Sequence, residues 1–191
     1  AGGLSNSLLP EPLNAMGWGP VIYFDAETNK ATQRRRLERI AGALGLDDLP
    51  PVFYRSLRPP LANYGSLIRG YVAEVGAVFA VFDSLTFLAG GDLNSTETSV
   101  PTMNVIGEAG EGCTKLAIAH HGKAGRENGA RPSALGSGAF EFKARSIWVI
   151  RKVNDEDSDH IDQVWSQTKG SDERLHRGFG LRLSFNEANT S

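Results

Sequence analysis

The feature that most constrains the fold is an alternation of short apolar runs with amphipathic helical segments over the first two thirds of the chain. Apolar runs at residues 21–24, 52–54, 77–82 and 116–119 predict β-strands. The segments between them place apolar residues at helical spacing and polar residues on the other faces. Strands that are apolar throughout and separated by helices indicate a mostly parallel α/β sheet with helices on both faces.

Two of the helical segments have recognisable ends. The first begins after the N-cap residues Thr28 and Asn29 and stops at Gly45, and the second, over residues 64–75, stops at Gly76. The polar faces of the first helix carry Arg34, Arg35, Arg36, Glu38 and Arg39.

Two loops flank the fourth strand. A polar, Gly-rich loop at residues 90–99 and a weaker helix precede this strand, and a Gly/Ser/Ala/Pro-rich loop follows it at residues 122–138.

The last third of the chain has a different pattern. Three further runs, at 146–150, 162–168 and 181–185, have no helical spacing between them. These runs predict antiparallel strands, or hairpins, added at the C-terminal edge of the sheet.

Length and composition indicate one domain that begins with a linker. We expect a linker at residues 1–19, a parallel α/β part at 20–121, a loop at 122–138 and β-hairpins at 139–191. The net charge of the 191 residues is −2, so any polyanion site must be local. No apolar run approaches the ~20 residues that cross a bilayer, and Cys113 has no second cysteine to pair with. We therefore expect a soluble, cytoplasmic protein without a membrane partner.

Polar side chains follow three of the predicted strands at their carboxyl ends. In open parallel sheets, ligands bind outside these ends. The side chains are those of Asp25 and Glu27, of Asp83 and Ser84, and of His120 and His121.

The two acidic strand ends each have two interpretations. Asp83 ends a rigid apolar strand in the manner of a Walker B aspartate, which holds Mg²⁺ through water beside nucleotide phosphates. The alternative for Asp83 is a turn or cap residue. Glu27 suits a general base that orients a water molecule, and its alternative is a carboxylate stabilised by the dipole of the following helix.

The histidine pair does not indicate a zinc site. Consecutive strand residues point to opposite faces, so His120 and His121 do not readily share one metal. Cys113 stands alone, and His160 and His176 lie in the late hairpins. We expect one histidine of the pair to face packing and assign the site to His121, as a phosphate donor or sensor. A capped strand end is the alternative.

The loop after the histidines is locally basic. Lys123, Arg126 and Arg131 stand there with one acid, Glu127. Such a segment suits a phosphodiester backbone, and its alternative is an ordinary surface loop.

Six short motifs occur in order between about residues 19 and 170. They are Gly19-Pro20-Val21-Ile22-Tyr23 with Ala26-Glu27, Asp83-Ser84-Leu85, Val105-Ile106-Gly107 with Gly112-Cys113, His120-His121 with Lys123-Ala124-Gly125, Arg131-Pro132-Ser133-Ala134-Leu135, and Ala144-Arg145-Ser146-Ile147-Trp148. Their order and spacing, more than any single motif, resemble the RecA-like hexameric ATPases. The most similar group is that of the plasmid RepA replicative helicases and their phage and bacterial relatives.

The resemblance implies ATP and Mg²⁺ as the ligands of the strand ends. By the same resemblance, Glu27 would polarise the attacking water, and Asp83, with Ser84 beside it, would hold Mg²⁺ through water. His121 would sense the γ-phosphate and link the site to the DNA-facing loop.

The resemblance also implies a ring, a homo-hexamer in related helicases. Arg145 is similar to the arginine finger that reaches the ATP of the neighbouring subunit, and Lys169 resembles a late nucleotide-binding lysine of related ring ATPases. The loops after Asp83 and His121 match those that contact single-stranded DNA, with Lys123, Arg126 and Arg131 as the DNA-binding residues.

One element of this family is missing from the 191 residues. The Gly-rich phosphate loop, G-x-x-x-x-G-K-[ST], does not occur in them. We expect a portion of a longer ATPase, inactive by itself, whose parent is an ATP-driven DNA motor of plasmid or phage type. The alternative is a non-hydrolysing RecA-like module that binds single-stranded DNA or a partner subunit. A KaiC-like or recombinase-like ATPase with a protein client shares the same core motifs.

Overall fold

The computed structural model describes residues 19–120, 138–154, 160–171 and 174–184. The chain separates into two compact units, with the boundary after Phe140. This boundary lies beside the predicted start of the C-terminal hairpins, and the assignment of both units to one core stays a prediction.

The first unit is built on a parallel sheet of four strands. In spatial order these are β2 (Val52–Ser56), β1 (Val21–Asp25), β3 (Phe79–Asp83) and β4 (Thr114–Ile118). Every neighbouring pair is parallel. The four strands predicted from the apolar runs are thus confirmed.

The first helix begins, and the second ends, where its predicted capping residue lies. In α1 (Lys30–Ala43), Oδ1 of Asn29 accepts a hydrogen bond from the backbone N–H of Thr32 at 3.0 Å. A 3₁₀ turn precedes α2 (Gly65–Val75). Gly76 ends α2 in the left-handed conformation with a φ of 60°, which glycine adopts without steric cost.

The connection from β3 to β4 contains more helix than the sequence indicated. A short helix, α3 (Leu85–Leu88), directly follows β3, and α4 (Thr96–Gly107) begins inside the predicted loop at 90–99. The side chain of Ser95 caps α4 by accepting a hydrogen bond from the N–H of Glu97. Within the described chain, no helix is long and apolar enough to cross a membrane.

The main core of the first unit lies on one face of the sheet, where Ile22, Phe24, Ala80 and Phe82 pack together, and Val81 is buried on the other face. Ala80, Val81 and Phe82 are consecutive and all buried, and consecutive strand residues point to opposite faces. The rings of Phe24 and Phe82 stack with centroids 5.1 Å apart on neighbouring strands. Burial of each such aromatic side chain contributes on the order of 1.5–3 kcal/mol.

The second unit contains the predicted antiparallel strands, β5 (Ser146–Lys152), β6 (His160–Gly170) and β7 (Phe179–Ser184). They pair in the order β5-β6-β7 as a sheet of their own. Among the described strands, the two sheets share no ladder, because each late strand pairs with its neighbour in sequence. A helix that was not predicted, α5 (Gly138–Lys143), precedes β5; six residues hold too little periodicity to be recognised.

Candidate functional site

Strand register brings the polar residues of the first unit to one edge of the sheet. Asp25 of β1 pairs with Ser56 of β2 on one side and with Asp83 of β3 on the other, and Asp83 pairs with Ile118 of β4. The strands therefore end at the same level, and the residues that follow them emerge together.

Glu27, which follows β1, contacts residues that follow two other strands. Its Oε1 accepts a hydrogen bond from the hydroxyl of Ser84, which follows β3, and lies 3.0 Å from Nε2 of His120, which follows β4. Ser84 is fully buried, and the peptide bond between Asp83 and Ser84 is cis. The side chain of Glu27 is 26% exposed, so water can reach its carboxylate.

Asp25 fixes the turn that carries Glu27. Asp25 is fully buried. Its Oδ1 accepts hydrogen bonds from the backbone N–H groups of Glu27 at 2.7 Å and Thr28 at 3.0 Å. Its Oδ2 accepts the hydroxyl of Thr28 and the amide of Gln33, the latter at 3.0 Å. Burial raises the pKa of Asp25, but these hydrogen bonds, above all those from Thr28, outweigh it and hold the pKa below its usual value.

The carboxylate of Asp83 is also held by a neighbouring strand. The hydroxyl of Tyr23 on β1 donates a hydrogen bond to Oδ2 of Asp83. Burial, the hydrogen bond to Asp83 and the negative charge of that carboxylate keep the pKa of Tyr23 well above its usual range; the charge of Arg36 acts in the opposite direction. Tyr23 thus stays a neutral donor.

The predicted site residues lie in three places. Glu27, Asp83 and Ser84 come together at the carboxyl ends of β1 and β3. The DNA-loop residues and the histidine assigned to the site lie outside the described residues, so those assignments stay predictions; they are His121, Lys123, Arg126 and Arg131.

The two predicted residues of the second unit have contacts there. Arg145 is exposed and directly precedes β5, and its carbonyl accepts the N–H of Ser171 at 2.8 Å. Nζ of Lys169 donates to the carbonyls of Glu141 and, at 3.2 Å, Phe142 at the end of α5. Lysine at the end of a helix satisfies free carbonyls, which gives Lys169 a structural role in this unit.

Sequence reasoning missed several residues of this site. His120, which sequence reasoning left out of the site, lies within hydrogen-bonding distance of Glu27. Tyr23 lies two residues before Asp25 on the same face of β1, and this period-2 spacing was a usable signal. Thr28 was interpreted only as a cap, and Gln33, eight residues from Asp25, had no sequence signal.

No described group of three or more His, Cys, Asp or Glu side chains is arranged to hold a metal ion. Asp83 offers one carboxylate. A single carboxylate suits Mg²⁺, which keeps several waters and takes further oxygens from substrate phosphates.

Comparison with known proteins establishes the fold. No protein-family model and no curated protein matches the chain. Among solved structures, it is similar to a KaiC-like protein of the hyperthermophilic archaeon Pyrococcus horikoshii, with a TM-score of 0.57 and 14% sequence identity. The similarity covers 88% of this chain and 76% of the archaeal one. The chain therefore has a RecA-like α/β fold, as its motif order predicted.

Proposed function

We propose that this chain supplies part of the ATP-hydrolysis centre of a ring-forming DNA motor, of the replicative-helicase type found in plasmids or phages. The observation that supports the proposal is the convergence of Glu27, Asp83 and Ser84 at the carboxyl ends of β1 and β3 in a RecA-like fold. This edge of a parallel sheet is where ligands bind.

In this proposal Glu27 is the group that orients and deprotonates water. Its Oε1 is occupied by the hydrogen bond from Ser84 and the contact with His120, which fix the carboxylate in one orientation. A partly exposed carboxylate held in this way can accept a proton from a water molecule placed beside a phosphate.

Asp83 would hold Mg²⁺ through water, with Ser84 next to it. The ion would neutralise charge on the phosphate oxygens of bound ATP. Tyr23 keeps Asp83 in place by its hydrogen bond to Oδ2, and its raised pKa means that it does not compete as a second anion.

The remaining parts of the proposal concern the ring. Arg145 would act as the finger that reaches the ATP of a neighbouring subunit in a homo-hexamer, and His121 would contact the nucleotide. Lys169 would also contact the nucleotide, by exchanging the carbonyls at the end of α5 for it. Stabilisation by an arginine finger amounts to about 10³–10⁵ in rate in comparable systems. The cellular setting in this proposal is the cytoplasm.

The test adds a phosphate loop to the chain by fusion. A strand and a G-x-x-x-x-G-K-[ST] loop are fused before Gly19, and ATP hydrolysis is measured. Glu27→Gln lowers the rate by about 10²-fold or more and Arg145→Ala by about 10³-fold. The matched control, Arg151→Ala, removes an exposed arginine within β5 and keeps the rate. Activity that survives both of the first two changes contradicts the proposal.

Single-stranded DNA is the proposed substrate of the motor. Lys123, Arg126 and Arg131 would contact its phosphates. Changing all three to Gln weakens single-strand binding and flattens its dependence on salt. Unchanged binding of single-stranded DNA would show that these three residues do not contact it.

The second candidate is a RecA-like module that binds single-stranded DNA or a partner subunit without hydrolysis. It is compatible with the fold, because the RecA-like core shared with the solved structure does not by itself determine whether ATP is hydrolysed. A folded fusion that binds DNA but hydrolyses no ATP supports this candidate over the first. A fusion that hydrolyses ATP and binds no DNA points instead to a protein client.

A further inference from the structure

Helix α1 concentrates positive charge in a chain that is otherwise acidic. Its 14 residues hold five cationic side chains and one carboxylate, a net charge of +4, which leaves −6 on the rest of a chain with a total of −2. The five cations are all exposed; they are Lys30, Arg34, Arg35, Arg36 and Arg39.

Three of these residues form one surface, which we call the α1 basic face: Arg35, Arg36 and Arg39. Arg35 and Arg39 are one helical turn apart, and Arg39 lies between Arg35 and Arg36 around the helix. Arg34 lies away from this face, paired with Glu38 at 2.8 Å.

The small size of the other residues on this face distinguishes it from most docking surfaces. A rotation of 100° per residue places Thr32 and Ala43 among the three arginines and Ala31 and Gly42 beside Arg35, whereas Ile40, which is 57% exposed, borders Arg36 at the other edge. The face itself thus carries no large apolar or aromatic side chain, and Ile40 at its edge is one aliphatic side chain, not the apolar stripe that an interfacial helix inserts into lipid or the aromatic anchor of a protein interface. Small neighbours allow a flat or extended polymer to approach the guanidinium groups closely.

Apart from the pair between Arg34 and Glu38, the positions of the charges do not serve the stability of the helix. The first turn of α1 contains no acidic residue, and the last turn contains no basic one. Cations are favourable near the carboxyl end of a helix and unfavourable near the amino end, where Lys30 lies. Like charges three and four residues apart, as on the α1 basic face, also repel each other.

We propose that the α1 basic face binds the phosphate backbone of single-stranded nucleic acid. Guanidinium groups bind phosphate oxygens in bidentate fashion, and a polyanion relieves the repulsion among them. The site uses none of the predicted loop residues, and binding at it does not require ATP hydrolysis. It therefore stands whether the chain is a motor or a non-hydrolysing module.

The experiment measures binding of the full chain to a short fluorescein-labelled oligothymidylate by anisotropy, without nucleotide, over a series of salt concentrations. One variant carries Arg35→Gln, Arg36→Gln and Arg39→Gln. The control variant loses the same charge elsewhere, through Arg58→Gln, Arg151→Gln and Lys152→Gln, all exposed positions. Circular dichroism confirms that both variants fold.

The α1 variant is expected to bind about tenfold more weakly at low salt. The slope of log K against log salt should fall in magnitude by about 2, since each phosphate contact contributes about 0.7 on single strands. The control keeps the slope of the parent chain, and Arg→Lys changes at the same three helix positions also keep it.

Three results overturn the proposal. They are no binding of the oligonucleotide by the parent chain, equal losses in the α1 variant and the control, and a loss confined to binding of phosphatidylserine vesicles. The last result would assign the face to a membrane surface instead.

Discussion

Nε2 of His120 lies 3.0 Å from Oε1 of Glu27, an oxygen that also accepts the hydroxyl of Ser84. The two partners of this oxygen differ in their surroundings. The side chain of His120 is 57% exposed, whereas Ser84 is fully buried. Solvent screens the first contact far more than the second.

This difference predicts unequal effects of two substitutions. Ser84→Ala lowers the free energy of unfolding by about 1–2 kcal/mol, because a buried hydrogen bond to a charged group is lost. His120→Ala lowers it by less than about 1 kcal/mol, as for other exposed pairs. Urea unfolding measures both, and the same substitutions in a Glu27→Gln background isolate the pairwise terms. Equal losses of unfolding free energy in the two single variants would show that burial does not determine how much each contact contributes to stability.

Asp25 predicts an acid-dependent stability. Asp25→Asn lowers the free energy of unfolding by about 2–4 kcal/mol at pH 7, because an amide cannot accept all the donors on Oδ2. The folded-state pKa of Asp25 is lowered, so its contribution is complete above the unfolded value of about 3.9 and is lost as the pH falls through the folded value.

The parent chain and the Asp25→Asn variant should therefore differ in stability above about pH 4 and converge as the pH falls below it. Urea unfolding at a series of pH values measures this, with the exposed Asp48→Asn as the control. A difference between parent and variant that stays constant over this range would contradict the role assigned to Asp25.

Tyr23 predicts a loss of stability at high pH. Its hydroxyl stays protonated in the folded chain, while an unfolded tyrosine ionises near pH 10. Stability therefore falls as the pH rises through about 10, and Tyr23→Phe reduces this fall. The absorbance of tyrosinate follows the ionisation directly. Asp83→Asn should lower the pKa of Tyr23. An unchanged titration of Tyr23 in that variant would show that Asp83 does not influence its ionisation.

The stacked pair in the core predicts a large packing effect. Phe82→Ala lowers the free energy of unfolding by about 3–5 kcal/mol, because Phe82 is fully buried against Phe24. The matched control is Phe142→Ala, whose side chain is 88% exposed and whose loss costs about 0.5 kcal/mol or less. Thermal unfolding of the two variants tests this contrast, and similar midpoints would contradict it.

The strands were predictable because their signal is local. An apolar run bounded by polar residues identifies each parallel strand, and Asn29 and Gly76 mark helix ends through their own side chain or its absence. The short helices α3 and α5 were not predictable, because four and six residues hold too few turns to show a period. The separate pairing of β5–β7 depends on which edges meet in space, which no local pattern records.

The sequence by itself determined the class of the fold, the strand ends that bear acids, and Glu27 and Asp83 as candidate residues. Only the tertiary structure decided which side chains meet. Parallel register aligned Asp25 with Asp83 and so brought Ser84 to Glu27, 57 positions away. His120 reached Glu27 in the same way. Contacts of this kind depend on strand order and register, which are properties of the whole sheet and not of any segment within it.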